Sequence, residues 1–236
     1  MKWVDHIDTL PEINRMQVWI KGIPKPFFFP ATGDFTLLCS TIDEACDPAH
    51  WHQYQIEQTR VAPNDVVVDC GAAEGLFALQ SSLVAQHVYA IEPFREFFEC
   101  LTETFKGSSN VTVTQCCAAE SDGVSRLYVD GFGSSQAQIK TTQSEPTTLR
   151  SLDSLFGNLE NPVTYIKADI EGFELEMLHG ARAVIKKSKR RIALTTYHAA
   201  NDVGEIERFL SSLRPDYSFH RKGLDTSGKP VMLHAW

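Results

Sequence analysis

The chain has 236 residues, of which 43% are hydrophobic and 22% are charged, with a formal net charge of -8 and a pI near 5.5. This length and composition suit a folded protein with a full core and exclude a disordered chain. The acidic balance argues against nucleic acid or an anionic membrane as the main partner, because both would repel the protein.

The first 63 residues predict an N-terminal cap that packs on the rest of the chain. The segments VWIKG (18–22), KPFFFPAT (25–32) and FTLLCSTI (35–42) have the composition of strands. The segment PAHWHQYQIEQTR (48–60) is expected to form a helix. We expect this cap to extend the main domain, which spans residues 64–236, and not to fold as an independent domain.

From residue 64 onward, apolar runs alternate with helical periodicity, which predicts an α/β fold with a mostly parallel sheet covered on both faces. The predicted parallel strands are VVVDC (66–70), HVYAIE (87–92), VTVTQCC (111–117), VTYIKAD (163–169) and RIALTTYH (191–198). The segments DYSFHRK and KPVMLHAW, separated by GLDTSG, predict a C-terminal antiparallel hairpin. The long insert 118–150 has a Gly/Ser tip at 131–135 and is typical of a lid.

The cysteines and the hydropathy of the chain predict the cellular location of the protein. The six cysteines have no paired spacing typical of metal sites, which predicts free thiols and a cytoplasmic location. No run approaches the ~20 apolar residues that a membrane span needs. We therefore expect no membrane association.

The loop after the first parallel strand predicts a nucleoside site. In VVVDCGAAEG, Gly71 and Gly75 bracket a tight turn that opens a helix, where a ligand can approach the backbone. Glu92 ends the next strand, twenty-one residues after Gly71. In doubly wound folds an acid at this position accepts hydrogen bonds from ribose hydroxyls.

The residues of this loop favour S-adenosylmethionine over a dinucleotide. The second glycine of a dinucleotide loop is replaced by Ala73, and the acids Asp69 and Glu74 flank the turn. These carboxylates would repel a pyrophosphate and favour the ammonium and sulfonium groups of S-adenosylmethionine. An NAD-dependent oxidoreductase and a non-catalytic nucleoside-binding module remain the alternatives.

Four acids cluster in YIKADIEGFELEMLHGA (165–181). Asp169 ends a predicted strand, Glu171 lies on the turn after it, and helical phase places Glu174 inward and Glu176 outward. Lys167 lies within the strand and is expected to pair with a carboxylate, Asp153 being one candidate.

These motifs resemble the FkbM-type methyltransferases. The resemblance covers roughly residues 60–200 and rests on VVVDCGAAEGLFAL, AIEP, CAAESDG, TTLRSLDSL and YIKADIEGFELEMLHGA. It implies a Rossmann-like class I methyltransferase sheet and transfer of a methyl group from S-adenosylmethionine to a hydroxyl of a sugar, natural product or other small molecule. Members often carry Asn where this chain has Ala73. The cofactor-binding residues it implies are Asp69, Gly71, Ala72, Glu74, Gly75, Glu92, Ala118 and Asp169.

Methyl transfer to a hydroxyl needs a positioned acceptor and a base for its proton. The catalytic candidates are Asp169, Glu171, Glu174 and His198, since His198 ends the next strand and could face Asp169 across the same rim. The base is expected among Asp169, Glu171 and His198. In a less favoured alternative, a divalent cation such as Mg²⁺ or Mn²⁺ is held by Asp169, by Glu171 or Glu174, and by His198.

Overall fold

The computed structural model describes residues 2–128, 144–198, 202–226 and 228–236. Its strands are β1 Val4–Leu10, β2 Arg15–Ile20, β3 Phe27–Pro30, β4 Val66–Cys70, β5 His87–Ile91, β6 Val111–Thr114, β7 Cys117–Ala118, β8 Gly123–Tyr128, β9 Ser144–Arg150, β10 Tyr165–Ala168, β11 Arg191–Thr195, β12 Phe219–Leu224 and β13 Pro230–Ala235. Its α-helices are α1 Phe35–Cys46, α2 Leu76–Ser82, α3 Arg95–Thr104, α4 Leu152–Phe156, α5 Glu174–His179, α6 Arg182–Lys187 and α7 Val203–Leu213. Across the described ranges, no helix is both long and apolar enough to span a bilayer.

A seven-stranded sheet forms the centre of the protein, in the order β12-β13-β11-β10-β4-β5-β6. The five strands from β11 to β6 are parallel, and the β12–β13 hairpin pairs antiparallel with β11. This confirms the predicted Rossmann-like sheet with a C-terminal antiparallel hairpin. The chain returns from β6 to the other side of β4, so the carboxyl ends of β4 and β10 flank the point where open α/β sheets bind ligands.

The neighbouring strands β4 and β10 are buried along their whole length. Their register places Lys167 beside Asp69, and Lys167 Nζ lies 2.9 Å from Asp69 Oδ1. The expectation that Asp153 pairs with Lys167 was therefore wrong. Asp153 instead accepts hydrogen bonds from the backbone N–H groups of Ala183 and Val184, at 2.9 and 2.8 Å, at the start of α6.

The N-terminal cap begins with a separate antiparallel sheet in the order β1-β2-β3. The strands at 18–22 and 25–32 were predicted, whereas β1 was not. The strand expected at 35–42 is wrong, because this segment starts helix α1. Asp34 caps it by accepting a 2.7 Å hydrogen bond from Thr36 N–H, and Leu38 and Ile42 lie one helical turn apart and are buried.

The helix expected at 48–60 is also wrong, since this segment consists of turns and irregular backbone. The cap shares a hydrophobic cluster with the main domain, in which Phe27, Phe29 and Leu38 join Leu76 and Val88. The division of the chain at residue 63 stays a prediction.

The insert forms a small sheet of its own. Strands β8 and β9 pair antiparallel, and β7 pairs parallel with β9. The Gly/Ser tip at 131–135 lies outside the described residues, so the lid stays a prediction. Five of the six cysteines, Cys46, Cys70, Cys100, Cys116 and Cys117, are free thiols, as expected.

Candidate active site

A cavity of about 530 Å³ opens at the carboxyl ends of β4, β5 and β10. One end, here named the cofactor end, is formed by the loop 71–74 and by residues 92–94 after β5. The other, here named the reaction end, is formed by Asp169, Glu171 and the side chains around them. The cavity thus occupies the switch point of the sheet.

The predicted site residues divide between the cavity wall and the layer behind it. Lining the cavity are Gly71, Ala72, Glu74, Glu92, Ala118, Asp169 and Glu171. Of the described residues, Asp69, Gly75, Glu174 and His198 lie behind this wall. These four can therefore act by holding the lining residues in place.

The loop after β4 packs closely against the end of β10. Gly71 has φ +71°, and a Cβ built on it would lie 1.9 Å from the backbone oxygen of Asp169. Gly75 has φ +85° and precedes α2, where a Cβ would lie 2.4 Å from Leu101 Cδ2. Ala73 also lies in the left-handed region, at φ +46°, which is uncommon for a residue with a Cβ.

Replacing Gly71 with alanine is expected to lower the free energy of unfolding by about 3 kcal/mol, because a left-handed alanine and an overpacked contact add their costs. Gly107 is the matched control, since it has φ +76° but nothing within 4 Å of its virtual Cβ. Gly107→Ala should cost only about 1–2 kcal/mol. Urea denaturation measures both values, and equal losses would contradict the close packing at Gly71.

Glu92 is held at the cofactor end by two backbone groups. Its Oε2 accepts a 2.8 Å hydrogen bond from Ala73 N–H, and its Oε1 accepts one of 2.8 Å from Phe94 N–H. Burial raises the pKa of Glu92 to about 7. Each oxygen keeps a second lone pair that a ribose hydroxyl could use.

Lys167 lies beside the loop and is already engaged. Its Nζ donates a 2.6 Å hydrogen bond to Gly71 O, besides its ion pair with Asp69. Burial raises the pKa of Glu74 to about 7. The loop is thus surrounded by three acids, Asp69, Glu74 and Glu92, and by Lys167. Acidic side chains outnumber basic ones among these described residues.

Asp169 is the most heavily bonded residue of the reaction end. Its Oδ2 accepts a 2.7 Å hydrogen bond from Tyr54 Oη and lies 3.2 Å from His52 Nε2. Its Oδ1 accepts a 3.1 Å bond from Thr195 Oγ1 and lies 3.2 Å from His198 Nε2. Burial alone would raise the pKa of Asp169, but the bonds with His198 and His52 hold it well below its usual range. Asp169 is therefore an ionised anchor and a poor proton acceptor.

Both histidines beside Asp169 have a pKa above the usual value for histidine. Burial alone would lower the pKa of His52, but its bonds with Asp169 and Glu44 raise it to about 9. His198 has Nδ1 3.4 Å from Glu171 Oε2, in addition to its contact with Asp169. Burial opposes protonation of His198 as well, yet Asp169 raises its pKa above the usual value. The raised pKa increases the protonated fraction of His198, and only its unprotonated form can act as a base.

Glu171 differs from its neighbours because it lines the cavity and keeps a raised pKa. Burial raises the pKa of Glu171 above its usual value. Its backbone has φ +58°, a left-handed conformation that is rare for glutamate and is typical of residues held for function. Glu171 is thus the acid of the reaction end best placed to exchange a proton with a ligand.

Glu174 and Glu176 lie on opposite sides of α5, as helical phase predicted. Glu174 is fully buried, and its Oε1 accepts a 2.8 Å hydrogen bond from Ile170 N–H. The same oxygen lies 3.0 Å from Thr195 Oγ1, whose single proton is shared with Asp169. Glu176 is exposed at the rim of the cavity. Glu174 therefore fixes the turn that carries Glu171.

The described side chains do not fit a metal centre. Asp169, Glu174 and His198 bring ligand atoms within 4.8 Å of one another. However, Thr195 Oγ1 lies within hydrogen-bond distance of both carboxylates, and His198 turns one ring nitrogen to each of Asp169 and Glu171. A cation would have to displace these bonds, so no step is assigned to a metal.

Sequence reasoning missed four residues of the reaction end: His52, Tyr54, Thr195 and Tyr197. His52 and Tyr54 belong to the segment that was expected to be a helix. Its density of histidine and aromatic side chains, HWHQY, was the available signal. Thr195 and Tyr197 lie within the predicted strand 191–198, where no sequence pattern distinguishes them from other strand residues.

The sheet order and the glycine turn after β4 define a Rossmann-like α/β protein. The family model described as the Methyltransferase FkbM domain matches residues 69–219, and the chain therefore belongs to the FkbM methyltransferase family. The N-terminal cap lies outside this match.

Two solved structures with TM-scores above 0.5 share the fold. The methyltransferase FkbM of Methylobacillus flagellatus KT superposes with a TM-score of 0.58 and 24% identity, over 75% of this chain and 44% of that chain. The PH0793 protein of Pyrococcus horikoshii has a TM-score of 0.51 and 14% identity, over 94% and 71% of the two chains. A more distant match is an rRNA methylase of Streptococcus thermophilus, with a TM-score of 0.47 and 11% identity over 74% and 87%. Comparison with curated protein sequences finds no match.

Proposed function

We propose that the protein is an S-adenosylmethionine-dependent methyltransferase that methylates a hydroxyl oxygen of a small molecule, such as a sugar or a natural product. The observation that carries the proposal is the pairing of two acids along one cavity. Glu92 lies at the position that binds ribose in doubly wound folds, and Glu171 lies at the reaction end with a raised pKa.

The cofactor end has the chemistry that S-adenosylmethionine needs. Glu92 would hold the ribose, and the loop 71–74 would hold the methionine part. The acids Asp69 and Glu74 favour the cationic groups of this ligand and disfavour a pyrophosphate. When bound, the cofactor supplies an electrophilic methyl group on a sulfonium.

At the reaction end, Glu171 would take the proton of the acceptor hydroxyl as the acceptor oxygen bonds to the methyl group, while the bond from the methyl group to sulfur breaks and leaves S-adenosylhomocysteine. A base in this role contributes about 10²–10⁴-fold to the rate. Asp169 does not exchange protons and instead fixes His198, which contacts Glu171. The walls of the cavity position the acceptor, which supplies much of the remaining acceleration.

The charge of the chain supports a small-molecule acceptor over RNA. A net charge of -8 and acids around the cavity would repel a phosphate backbone. The free thiols at Cys46, Cys70, Cys100, Cys116 and Cys117 support a cytoplasmic location.

Calorimetry with S-adenosylhomocysteine and NAD tests the cofactor assignment. S-adenosylhomocysteine should bind the full chain in the micromolar range, which corresponds to about -8 kcal/mol, while NAD should not bind measurably. Tighter binding of NAD would overturn the proposal in favour of an oxidoreductase. Binding of S-adenosylhomocysteine without methyl turnover on any hydroxyl acceptor would favour a non-catalytic nucleoside-binding module.

A further inference from the structure

The N-terminal cap forms one wall of the cavity. The residues of α1 that line it are Leu37, Ser40, Thr41, Glu44 and Ala45. They follow the i, i+3, i+4, i+7, i+8 spacing of one helical face, whereas Leu38 and Ile42 lie on the face buried in the core. The cap therefore contributes to the site although it lies outside the family match at 69–219.

His52 connects this wall to the reaction end. Its Nδ1 lies 2.9 Å from Glu44 Oε2 and its Nε2 lies 3.2 Å from Asp169 Oδ2, with the side chain only 7% exposed. The rings of Trp51, Tyr54 and Tyr197 surround the imidazole, with centroids 4.9, 5.1 and 5.9 Å away. His50 Nδ1 accepts a 3.2 Å hydrogen bond from the backbone of His52. Both ring nitrogens of His52 therefore have acidic partners, and three aromatic rings pack around the imidazole.

The ion pairs of the reaction end form one continuous series. It runs Glu44, His52, Asp169, His198, Glu171, with contacts of 2.9, 3.2, 3.2 and 3.4 Å. Acids and imidazoles alternate, so each of the three interior members lies between two groups of the other kind. The series begins on the cap helix and ends at the acid assigned as the base.

The two carboxylate oxygens of Asp169 have hydrogen-bond partners from different parts of the chain. The cap donates to Oδ2 through Tyr54 and His52, and β11 with the residues after it donates to Oδ1 through Thr195 and His198. If the cap donors were lost, the carboxylate could rotate and His198 could move away from Glu171. Removing one partner of a buried charge pair leaves the other uncompensated.

We infer that His52 of the N-terminal cap is a positioning residue of the methyl transfer, which holds Asp169 and, through His198, sets the place of Glu171. This inference rests on the proposed function. His52 acts through Asp169 and is not itself a catalytic residue.

The test compares His52→Gln with His6→Gln in the full chain. Glutamine at position 52 can keep a hydrogen bond to Asp169 but carries no charge. His6 is the control because it is a half-exposed histidine of the same cap. The first readout is the ¹⁵N NMR spectrum of the histidine rings at neutral pH. In the wild type, both ring nitrogens of His52 should be protonated. The His198 signals should shift in His52→Gln and stay in place in His6→Gln.

The second readout is the binding of S-adenosylhomocysteine, which separates this inference from the proposed function. His52→Gln should bind it within about threefold of the wild type, since a factor of three is less than 1 kcal/mol. With an acceptor that supports wild-type turnover, kcat should fall at least about tenfold, in keeping with the cost of misplacing groups near the chemistry. A wild type that does not bind S-adenosylhomocysteine would refute the proposed function, whatever the His198 signals do.

His198 signals that do not move in His52→Gln would overturn the inference, as would an unprotonated ring nitrogen on His52 in the wild type. If His52→Gln does not fold, Glu44→Gln replaces it, because this variant keeps His52 and removes the charge of its outer partner. If the His52 signals of Glu44→Gln are the same as those of the wild type, the proposed series of ion pairs from Glu44 to Glu171 is refuted.

Discussion

Replacing Glu92 with alanine is expected to weaken binding of S-adenosylhomocysteine about 100-fold. A hydrogen bond to a charged group contributes about 1.5–3 kcal/mol, and each 1.4 kcal/mol is a factor of ten in affinity. The variant also removes the acceptor for Ala73 N–H, which holds the loop in place. Calorimetry at constant salt concentration measures the change.

Two further variants show whether the loss is specific. Glu96→Ala removes an acid from the first turn of α3 and should bind like the wild type. Asp169→Ala should weaken binding far less than Glu92→Ala, because Asp169 belongs mainly to the reaction end. Equal losses in Glu92→Ala and Asp169→Ala would contradict the division of the cavity into two ends.

The pH dependence of binding adds an independent check. Since burial raises the pKa of Glu92 to about 7, the carboxylate loses its charge as the pH falls through that value. Binding that uses the ionised form is complete above this pKa and weakens below it. Glu92→Gln has no such group, so its affinity should change less over the same range.

The core of the fold could be predicted because its central strands are mostly apolar. Strands β4 and β10 are buried on both faces, and such runs are readable without tertiary information. The proximity of Asp169 and His198 followed from the same reasoning, because the carboxyl ends of neighbouring parallel strands meet at one edge of the sheet.

The cap could not be predicted in the same way. FTLLCSTI has the composition of a strand, but the cap at Asp34 and the spacing of Leu38 and Ile42 make it a helix. Short apolar runs are ambiguous between these two structures. The contact between Tyr54 and Asp169 joins residues 115 positions apart and depends on tertiary packing that no local pattern encodes.

The prediction that Asp153 pairs with Lys167 was wrong for a related reason. Its strand and its burial could be predicted, but its neighbour depends on the order and register of the sheet. Strand β4 lies beside β10, and the register aligns position 69 with 167. The motif around Asp153 is close to Lys167 in sequence, yet that carboxylate caps α6.

Replacing Glu171 with glutamine is expected to reduce methyl turnover by about 10²–10⁴-fold, the usual contribution of a general base. Glutamine has nearly the same shape, so the left-handed turn and the cavity should persist. Binding of S-adenosylhomocysteine should change by less than about threefold, because Glu171 lies at the reaction end. The measurement is the release of S-adenosylhomocysteine with a hydroxyl acceptor that supports wild-type turnover.

The control is Glu160→Gln, which removes an exposed acid from the connection before β10 and should keep full activity.

The wild-type rate should rise with pH through the pKa of Glu171, which burial places above its usual value, because only the ionised form accepts a proton. Glu171→Gln should lose this limb. A variant that keeps both its rate and its pH limb would exclude Glu171 as the base. His198 would then be the next candidate, provided that it first gives up its proton to an acid of the reaction end.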